Sequence, residues 1–449
     1  MAKYKAYPEY KDSGVEWVDS IPSYWDVKPT FALCDASTQK NIDGAESNVL
    51  SLSYGNIISR DVETNFGLLP ESFNTYQLIN CGDVILRLTD LQNDKNSLRV
   101  GLAKQKGIIT SAYLKLKANS NINPKFLYRL LHSYDTTKVF YGMGGGLRQS
   151  MKFEDFRRLP LLLPPYEEQV KISAFLDHET AKIDNLIEKQ KQLIELLKEK
   201  RQAVISHAVT KGLNPDVPMK DSGVEWLGEV PEHWEVSKFG YISLVVRGGS
   251  PRPAGDPTLF NGDYSPWVTV AEITKDNEIY LDSTDTFLTK KGSEQCRVFK
   301  AGTLLLSNSG ATLGVPKILS IDANANDGVV GFELLNIDHE YAYFYLSTLT
   351  TNLRESIKQG SGQPNLNTDI VKSIAIPIPP EYEIQRIVSF IKETIKLYSS
   401  IESGAMEQVK LLQERRTALI SAAVTGKIDV RDWVAPDTQD IEEPQEATA

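Results

Sequence analysis

Residues 167–208 read EEQVKISAFLDHETAKIDNLIEKQKQLIELLKEKRQAVISHA. Large apolar side chains recur in this stretch at the spacings of three, four and seven that are typical of a coiled-coil seam. The predicted seam residues are Ile172, Leu176, Ile183, Leu186, Leu193, Leu197 and Val204. We therefore predict one long helix of coiled-coil type, although the same stripe also fits an amphipathic helix in a globular core.

The stretch returns near the C-terminus, 215 positions further on, so the chain consists of two halves. The matching seam is Ile387, Ile391, Tyr398, Ile401, Gln408, Leu412 and Leu419, with one polar residue among them. Pro164-Pro165 precedes the first copy and Pro379-Pro380 the second, and such prolines restrict where a helix can start. A second long helix is predicted, with no residue gained or lost relative to the first.

Composition indicates a globular protein with more than one domain. The chain has 449 residues, 41% hydrophobic and 24% charged, which exceeds the usual size of a single core. Its three cysteines are odd in number and far apart, so neither a disulfide framework nor a zinc knuckle is predicted. We found no run of 18 apolar residues and no signal-peptide pattern, and we expect a cytoplasmic protein with no membrane partner.

The net charge of −10 argues against nucleic-acid binding, but the charge is unevenly distributed. Residues 28–150 carry 14 Lys and Arg against 10 Asp and Glu, whereas residues 237–365 carry 11 against 14. From Asp429 onward one Arg faces seven acids, and we expect this acidic tail to be disordered at its end. Charge alone therefore does not exclude a DNA partner.

A second repeat supports the division into halves. The heptad Lys-Asp-Ser-Gly-Val-Glu-Trp occurs at residues 11–17 and again at 220–226, and each copy is followed by a second Trp. We interpret both copies as aromatic loops at the start of a domain, with tryptophans that serve at least as core residues. Residues 212–218, which contain Gly, Asn and two Pro, are predicted to be a linker.

Between each heptad and each long helix, short runs indicate a mixed α+β domain. Strands are predicted at 83–87, 108–117, 303–307 and 328–335, and helices at 124–133 and 340–358. A Gly-rich loop follows in each half, at 141–149 and 359–365. The predicted fold class is α+β, with two pseudo-repeated globular domains joined by two long helices.

Sites for catalysis and metal binding are not evident, so we predict no catalytic residue, no metal and no cofactor. The tetrad Leu163-Pro-Pro-Tyr166 looks like the Asn-Pro-Pro-Tyr motif of adenine methyltransferases, but Leu163 cannot hold the target amine. Residues 142–146 also lack the strand and helix that flank a dinucleotide loop. The five histidines have no metal-ligand spacing.

Polar loops between the predicted strands are the remaining candidates. Arg, Asn and Gln can bond base edges, while Ser, Thr and backbone amides suit phosphates. By composition alone, ordinary solvated loops are the better interpretation of these segments. The candidate DNA-binding residues are Arg87, Thr89, Gln92, Asn93, Lys95, Arg99, Arg148, Gln149, Arg247, Ser250, Arg252, Ser307, Asn308, Thr312, Ser361 and Gln363.

With its two heptads, its Pro-Pro steps followed by Glu168 and Glu383, and its loop Gly360-Ser-Gly-Gln-Pro-Asn365, the chain resembles the specificity subunits of type I restriction-modification systems. The resemblance covers residues 8–433. It implies a non-catalytic subunit in which each target-recognition domain reads one half of a split site in double-stranded DNA. It further implies antiparallel helices that set the gap and dock two methyltransferase subunits, which use S-adenosylmethionine, and nuclease-translocase subunits that join for restriction.

We therefore divide the chain into recognition domain 1 at residues 1–163, spacer helix 1 at 164–211, recognition domain 2 at 212–378, spacer helix 2 at 379–428 and the acidic tail at 429–449. Two other classes stay open at this point. A coiled-coil adaptor without DNA binding would leave the duplicated polar loops without a role. A DNA methyltransferase in its own right would need the missing tetrad and cofactor loop.

Overall fold

The computed structural model describes residues 4–61, 72–89, 91, 98–143, 150–310, 312–358 and 366–435. The chain divides into two compact units. The first contains residues 1–191 and 407–449, and the second contains residues 192–406. Each unit combines short strands with helices, so the α+β class is confirmed.

The first unit is built from short strands and short helices that precede a long helix. Its strands are β1 (Tyr10–Val15), β2 (Val18–Pro22), β3 (Asp26–Pro29), β4 (Cys34–Asp35), β5 (Leu50–Ser53), β6 (Asn56–Ser59), β7 (Gln77–Ile79), β8 (Val84–Leu86), β9 (Val100–Leu102), β10 (Gly107–Ile109), β11 (Leu114–Ala118) and β12 (Pro160–Leu163). Its helices are α1 (Thr30–Leu33), α2 (Pro124–Thr136), a 3-10 turn at Val139–Gly142, α3 (Phe153–Phe156), the first part of α4 (Tyr166–Lys211) and the last part of the C-terminal long helix described below.

A four-stranded sheet of order β4-β11-β8-β9 forms the centre of the first unit. Its strands are antiparallel neighbours, and α2 packs on them through side chains that are fully buried, such as Phe126 and Leu130. The separate pair β3-β12 joins the start of the domain to the segment before α4. Burial of this apolar surface drives the packing.

The second unit repeats this plan with a larger sheet. Its strands are β13 (Met219–Asp221), β14 (Glu229–Pro231), β15 (Glu235–Lys238), β16 (Leu244–Arg247), β17 (Phe260–Val268), β18 (Tyr280–Leu281), β19 (Phe287–Leu288), β20 (Val298–Phe299), β21 (Leu304–Ser307), β22 (Pro316–Leu319), β23 (Ala323–Ala325), β24 (Val329–Glu333) and β25 (Ala375–Ile378). Its helices are the last part of α4, α5 (Phe239–Ile242), α6 (Val270–Ile273), α7 (Lys290–Ser293), α8 (His339–Lys358), α9 (Thr368–Ser373) and most of α10 (Glu381–Val424).

A five-stranded sheet of order β16-β24-β21-β22-β18 forms the centre of the second unit. A four-stranded sheet, β19-β17-β23-β20, surrounds a second core around Val268 and Phe299. The pair β15-β25 takes the place that β3-β12 has in the first unit. The predicted strands at 83–87, 303–307 and 328–335 are confirmed, whereas 108–117 is two strands separated by a turn at Thr110–Tyr113.

The structure contains two long helices whose ends lie close to the bounds expected from the sequence. α4 has 46 residues and α10 has 44, and each begins directly after its Pro-Pro step. The backbone N–H of Glu168 donates to the Pro165 carbonyl at 2.9 Å, and that of Glu383 donates to Pro380 at 2.8 Å. No helix among the described residues is long and apolar enough to cross a membrane.

The predicted seam is wrong in phase along the middle of both helices. Leu186 and Leu193 are 48% and 39% exposed, while their neighbours Ile187 and Ile194 are 8% and 7% exposed. In α10, Ile401 is 42% exposed, and the residue after it faces inward. In α4 the error arises because adjacent large aliphatic residues let the same repeat start at either one. Ile172, Leu176 and Ile183 in α4, and Ile387, Ile391 and Leu419 in α10, are buried as predicted.

The repeated heptads form the same backbone turn in the two units. Asp12 Oδ1 accepts the N–H of Gly14 at 2.8 Å, and Asp221 Oδ1 accepts that of Gly223 at 3.0 Å. Both glycines have positive φ, 65° and 70°, a conformation that a side chain disfavours. The identical sequence is therefore explained by an identical turn.

The second tryptophan of each repeat is a buried anchor for the adjacent long helix. Trp25 and Trp234 are fully buried, and their indole N–H groups donate to Glu168 at 3.1 Å and to Glu383 at 3.0 Å. This confirms the predicted core role of these two tryptophans. It also explains why a Glu stands three residues after each second proline.

The carboxylate of Glu168 is enclosed more completely than that of Glu383. Glu168 also accepts hydrogen bonds from the hydroxyls of Tyr7 and Tyr24, and it is only 5% exposed. Burial raises the pKa of Glu383, but hydrogen bonds from Trp234, His233 and Tyr382 outweigh it and hold the pKa below its ordinary value. Because His233 and Tyr382 are exposed, the second anchor is open to water.

Candidate nucleic-acid interface

Three polar loops meet at one end of the five-stranded sheet in the second unit. The register pairs Arg247 with Val330, and Ser307 with Val329, so the end of β16, the start of β24 and the end of β21 lie side by side. We call this end of the sheet, with the described loop residues 247–252, 307–310, 312–315 and 326–328, the polar edge of the second unit. The sequence had predicted two of these loops as candidate sites.

Asp327 holds the first loop in place. Arg247 Nε donates to the Asp327 carbonyl at 2.6 Å, and Ser250 Oγ donates to Asp327 Oδ1 at 2.7 Å. The hydrogen bond from Ser250 is the main cause that lowers the pKa of Asp327, and Arg247 and Arg252 lower it further. The Arg247 side chain remains exposed, so it can still reach an anionic ligand.

Gly248 allows the close approach between this loop and the loop before β24. A Cβ at residue 248 would lie 2.2 Å from the Asn326 carbonyl oxygen and 2.5 Å from that of Ala325. The backbone N–H of Gly249 also donates to the Ala325 carbonyl at 2.9 Å. A side chain at residue 248 would therefore separate the two loops.

The loop after β21 is held by Ser307 from the inside. Ser307 is fully buried, and its hydroxyl donates to the Thr312 carbonyl at 2.9 Å and accepts the Val315 N–H at 2.9 Å. Asn308 is also fully buried, and both polar atoms of its side chain lack a hydrogen-bond partner among the residues that the structure describes. Thr312 is exposed. Ser307 thus shapes the loop, whereas Thr312 faces solvent.

Two exposed lysines of the second unit lie on α7, close in sequence to a hydrogen-bond partner of Arg252. The Arg252 N–H donates to Gln295 Oε1 at 2.9 Å, which links the first loop to the segment after α7. α7 presents Lys290 and Lys291 to solvent. With Arg247 and Arg252, these lysines give four exposed cations in a domain whose sequence is acidic overall.

The first unit has a corresponding edge at the end of β8 and the start of β9. Leu86 pairs with Val100, and the N–H of Arg87 donates to the Arg99 carbonyl at 2.9 Å. Arg87 and Thr89 are half-buried there. Gln92, Asn93, Lys95, Arg148 and Gln149, with Ser361 and Gln363 of the second unit, lie outside the described residues.

Arg99 has a structural role at this edge. It is fully buried, and its guanidinium donates to the carbonyls of Thr89 at 2.9 Å and Arg87 at 3.3 Å. The guanidinium also lies 5.5 Å from the ring centre of Tyr141, and the Arg99 N–H donates to Asp135 at 2.7 Å. In this conformation Arg99 fixes the turn at Arg87–Thr89 and does not face solvent.

Sequence reasoning missed the residues that support the loops. Asp327 and Asn326 lie in an Asn-Asp-Gly turn, a composition that predicts a turn but not its neighbours. Lys138 lies 4.4 Å from the ring centre of Tyr141 in the first unit, and nothing in the local sequence links these residues to Arg99. Among the described residues, no group of His, Cys, Asp and Glu is placed to hold a metal ion.

Comparisons with known proteins identify one family. A family profile described as "Type I restriction modification DNA specificity domain" matches residues 95–196 and 231–411. The chain is 29% identical over 169 residues to the MjaIX specificity subunit of Methanocaldococcus jannaschii, covering 37% of this chain and 38% of that protein. It is 26% identical over 327 residues to the MjaX specificity subunit of the same organism, covering 71% of each.

Solved structures share the fold. A chain from a structural study of complex assembly in a type I R-M system matches with a TM-score of 0.68 and 16% identity, covering 91% of this chain and 99% of that one. The HsdS subunit from Thermoanaerobacter tengcongensis matches with a TM-score of 0.51 and 16% identity, covering 91% and 98%. The first curated relative is spanned for little more than a third of its length, while these structures are spanned almost entirely.

Proposed function

The chain belongs to the type I restriction modification DNA specificity family, and on that premise we propose that it reads a bipartite sequence in double-stranded DNA. Each recognition domain, at residues 1–163 and 212–378, contacts one half of the site. The observation that carries this proposal is the duplicated construction: each unit ends its central sheet in polar loops, and each anchors a long helix through a Trp–Glu bond. In this role the chain is a recognition subunit and not an enzyme.

In the second domain, the exposed cations at the polar edge are proposed to contact phosphates. Arg247 and Arg252 are exposed, and Lys290 and Lys291 add two charges to a domain that is acidic overall. Exposed Thr312 and half-buried Ser250 offer hydroxyls of the kind that bond phosphate or base edges. Local charge, not net charge, is what phosphate binding requires.

Arg247→Ala and Arg252→Ala should each weaken DNA binding by the assembled complex. Each change should also reduce the slope of log K against log salt by about 1, because one fewer counterion is released. Arg297→Ala is a matched control, since Arg297 pairs with Glu333 at 2.8 Å and Glu333 lies opposite Leu244 at the other end of the sheet. Equal losses in all three variants, measured by fluorescence anisotropy across salt concentrations, would contradict this assignment.

The spacer is proposed to be an antiparallel pair formed by α4 and α10. One ion pair in each unit supports it: Asp184 accepts both Nε and Nη2 of Arg416, at 2.7 and 3.2 Å, and Arg201 lies 3.4 Å from Glu402. Going forward from residue 184 to 201 in α4 corresponds to going backward from 416 to 402 in α10. A stiff spacer of this kind would fix the gap between the two half-sites and raise the effective concentration of each reader.

The same helices are proposed to dock two methyltransferase subunits. Both carry large apolar side chains that are exposed, including Leu196 at 62% in α4 and Leu397 at 58% in α10. Exposed apolar patches of this kind mark interaction sites. Under this proposal S-adenosylmethionine is bound by the partner, nuclease-translocase subunits join for restriction, and the complex acts on DNA in the cytoplasm.

A further inference from the structure

The 215-residue repeat also includes the helix that packs on each long helix, which is α2 in the first unit and α8 in the second. α2 begins at Pro124 and α8 at His339, which is the same offset of 215. Asn123 caps α2 by accepting the N–H of Lys125 at 2.9 Å, and Asp338 accepts that of Tyr341 at 2.8 Å. The two helices can therefore be compared residue by residue.

In the first unit, α2 presents cations to an acid on α4. Lys125 Nζ lies 2.8 Å from Asp177 Oδ2, and Arg129 Nη2 lies 3.0 Å from Asp177 Oδ1. The Arg129 side chain is only 11% exposed. Burial raises the pKa of Asp177, but the hydrogen bonds from Lys125 and Arg129 outweigh it and hold the pKa below its ordinary value.

In the second unit the same positions carry the opposite charges. Glu340 replaces Lys125, Lys392 replaces Asp177, and Lys392 Nζ lies 2.6 Å from Glu340 Oε1. Phe344, which is 1% exposed, stands where the first unit has Arg129. The hydroxyl of Tyr280 also donates to Glu340, whose side chain is 16% exposed. Thus two equivalent contacts differ in polarity.

We propose that this reversed polarity makes each long helix a docking surface for only one kind of recognition domain. The surface at Asp177 fits a domain whose helix equivalent to α2 is cationic at the positions of Lys125 and Arg129. The surface at Lys392 fits a domain with an acid at the position of Glu340 and an apolar residue four positions later. The partner at each surface is thereby selected by charge.

Placing either recognition domain on the long-helix surface of the other unit would bring like charges together and lower stability. The first domain on the second surface would bring Lys125 and Arg129 against Lys392, and Arg129 lies too deep to turn towards water. The second domain on the first surface would bring Glu340 against Asp177. Exposed ion pairs contribute little to stability, but like charges held at a contact that is partly buried repel each other.

The sharpest test applies one substitution in two contexts. In the native chain, Asp177→Lys should lower the melting temperature by about 4 °C or more, and it should cost more than Asp177→Ala. In a full-length chimera with residues 28–163 replaced by residues 237–378, the transplanted Glu340 faces position 177. There the same Asp177→Lys change should raise the melting temperature. A change of the same sign in both contexts would overturn the proposal.

A second set of variants decides the matter if the chimera does not fold in either form. In the native chain, Lys125→Glu and Arg129→Phe added to Asp177→Lys rebuild the polarity of the second unit and should recover most of the lost melting temperature. Lys392→Asp should lower the melting temperature more than Lys392→Ala does. Adding Glu340→Lys to Lys392→Asp should restore the melting temperature. The proposal is wrong if Asp177→Lys and Asp177→Ala lower the melting temperature equally, or if the triple variant recovers none of the lost melting temperature. Charge then does not select the domain.

Discussion

Glu168→Ala is expected to destabilise the first unit by about 3–5 kcal/mol, because it removes the acceptor of several buried donors at once. The indole N–H of Trp25 and the hydroxyl of Tyr7 both bond this carboxylate, and the two side chains are 0% and 3% exposed. Neither donor can turn to water when the carboxylate is gone. Differential scanning calorimetry of the full chain would measure the loss.

Glu383→Ala provides the matched comparison in the second unit. Its carboxylate also accepts three bonds, but His233 and Tyr382 are exposed and can bond water instead. Only Trp234 is left unpaired, so we expect a loss of about 1–2 kcal/mol. Glu167→Ala, an exposed neighbour in the same turn as Glu168, should have little effect. Equal losses for Glu168→Ala and Glu383→Ala would show that burial of the anchor does not set its contribution.

Ile194→Asp is expected to destabilise the protein by about 3–4 kcal/mol, because a carboxylate would replace a side chain that is 7% exposed. Leu193→Asp is its control: it differs by one residue, introduces the same charge into the same helix, and changes a side chain that is 39% exposed. The control should stay within about 1 kcal/mol of the parent.

The same pair of variants separates the spacer from its partners. If the exposed face of α4 docks a methyltransferase subunit, Leu193→Asp should weaken that association while the chain itself stays stable. Calorimetry and co-purification with the partner would measure the two effects. If Leu193→Asp were as destabilising as Ile194→Asp, the seam would include Leu193, as the sequence alone had suggested.

Most of the fold that could be predicted from the sequence was predicted from its internal repeats. The 215-residue offset and the Pro-Pro steps placed both long helices to within a few residues, because proline and periodicity act locally. The phase of the seam was less accessible. Leu186-Ile187 and Leu193-Ile194 are pairs of similar aliphatic residues, and only tertiary packing decides which member of each pair is buried.

The candidate site was less predictable than the fold. The sequence identified polar loops after β16 and β21, and the sheet brings them together because their strands are near neighbours. It gave no sign that Arg99 is buried, since Arg is mostly exposed in proteins. Nor could it link Asp327 to Arg247 and Ser250, which are some 80 positions away along the chain.

The central claim, that each recognition domain reads one half of a split site, is tested most directly by exchange of one domain. Residues 28–150 would be replaced by the matching domain of another family member whose helix equivalent to α2 is cationic. The chimera would then be expressed with its methyltransferase partner. Sequencing of the modified DNA would then report the recognised site. The account predicts that one half of that site changes while the other half and the gap stay the same; a change in both halves, or in the gap, would contradict it.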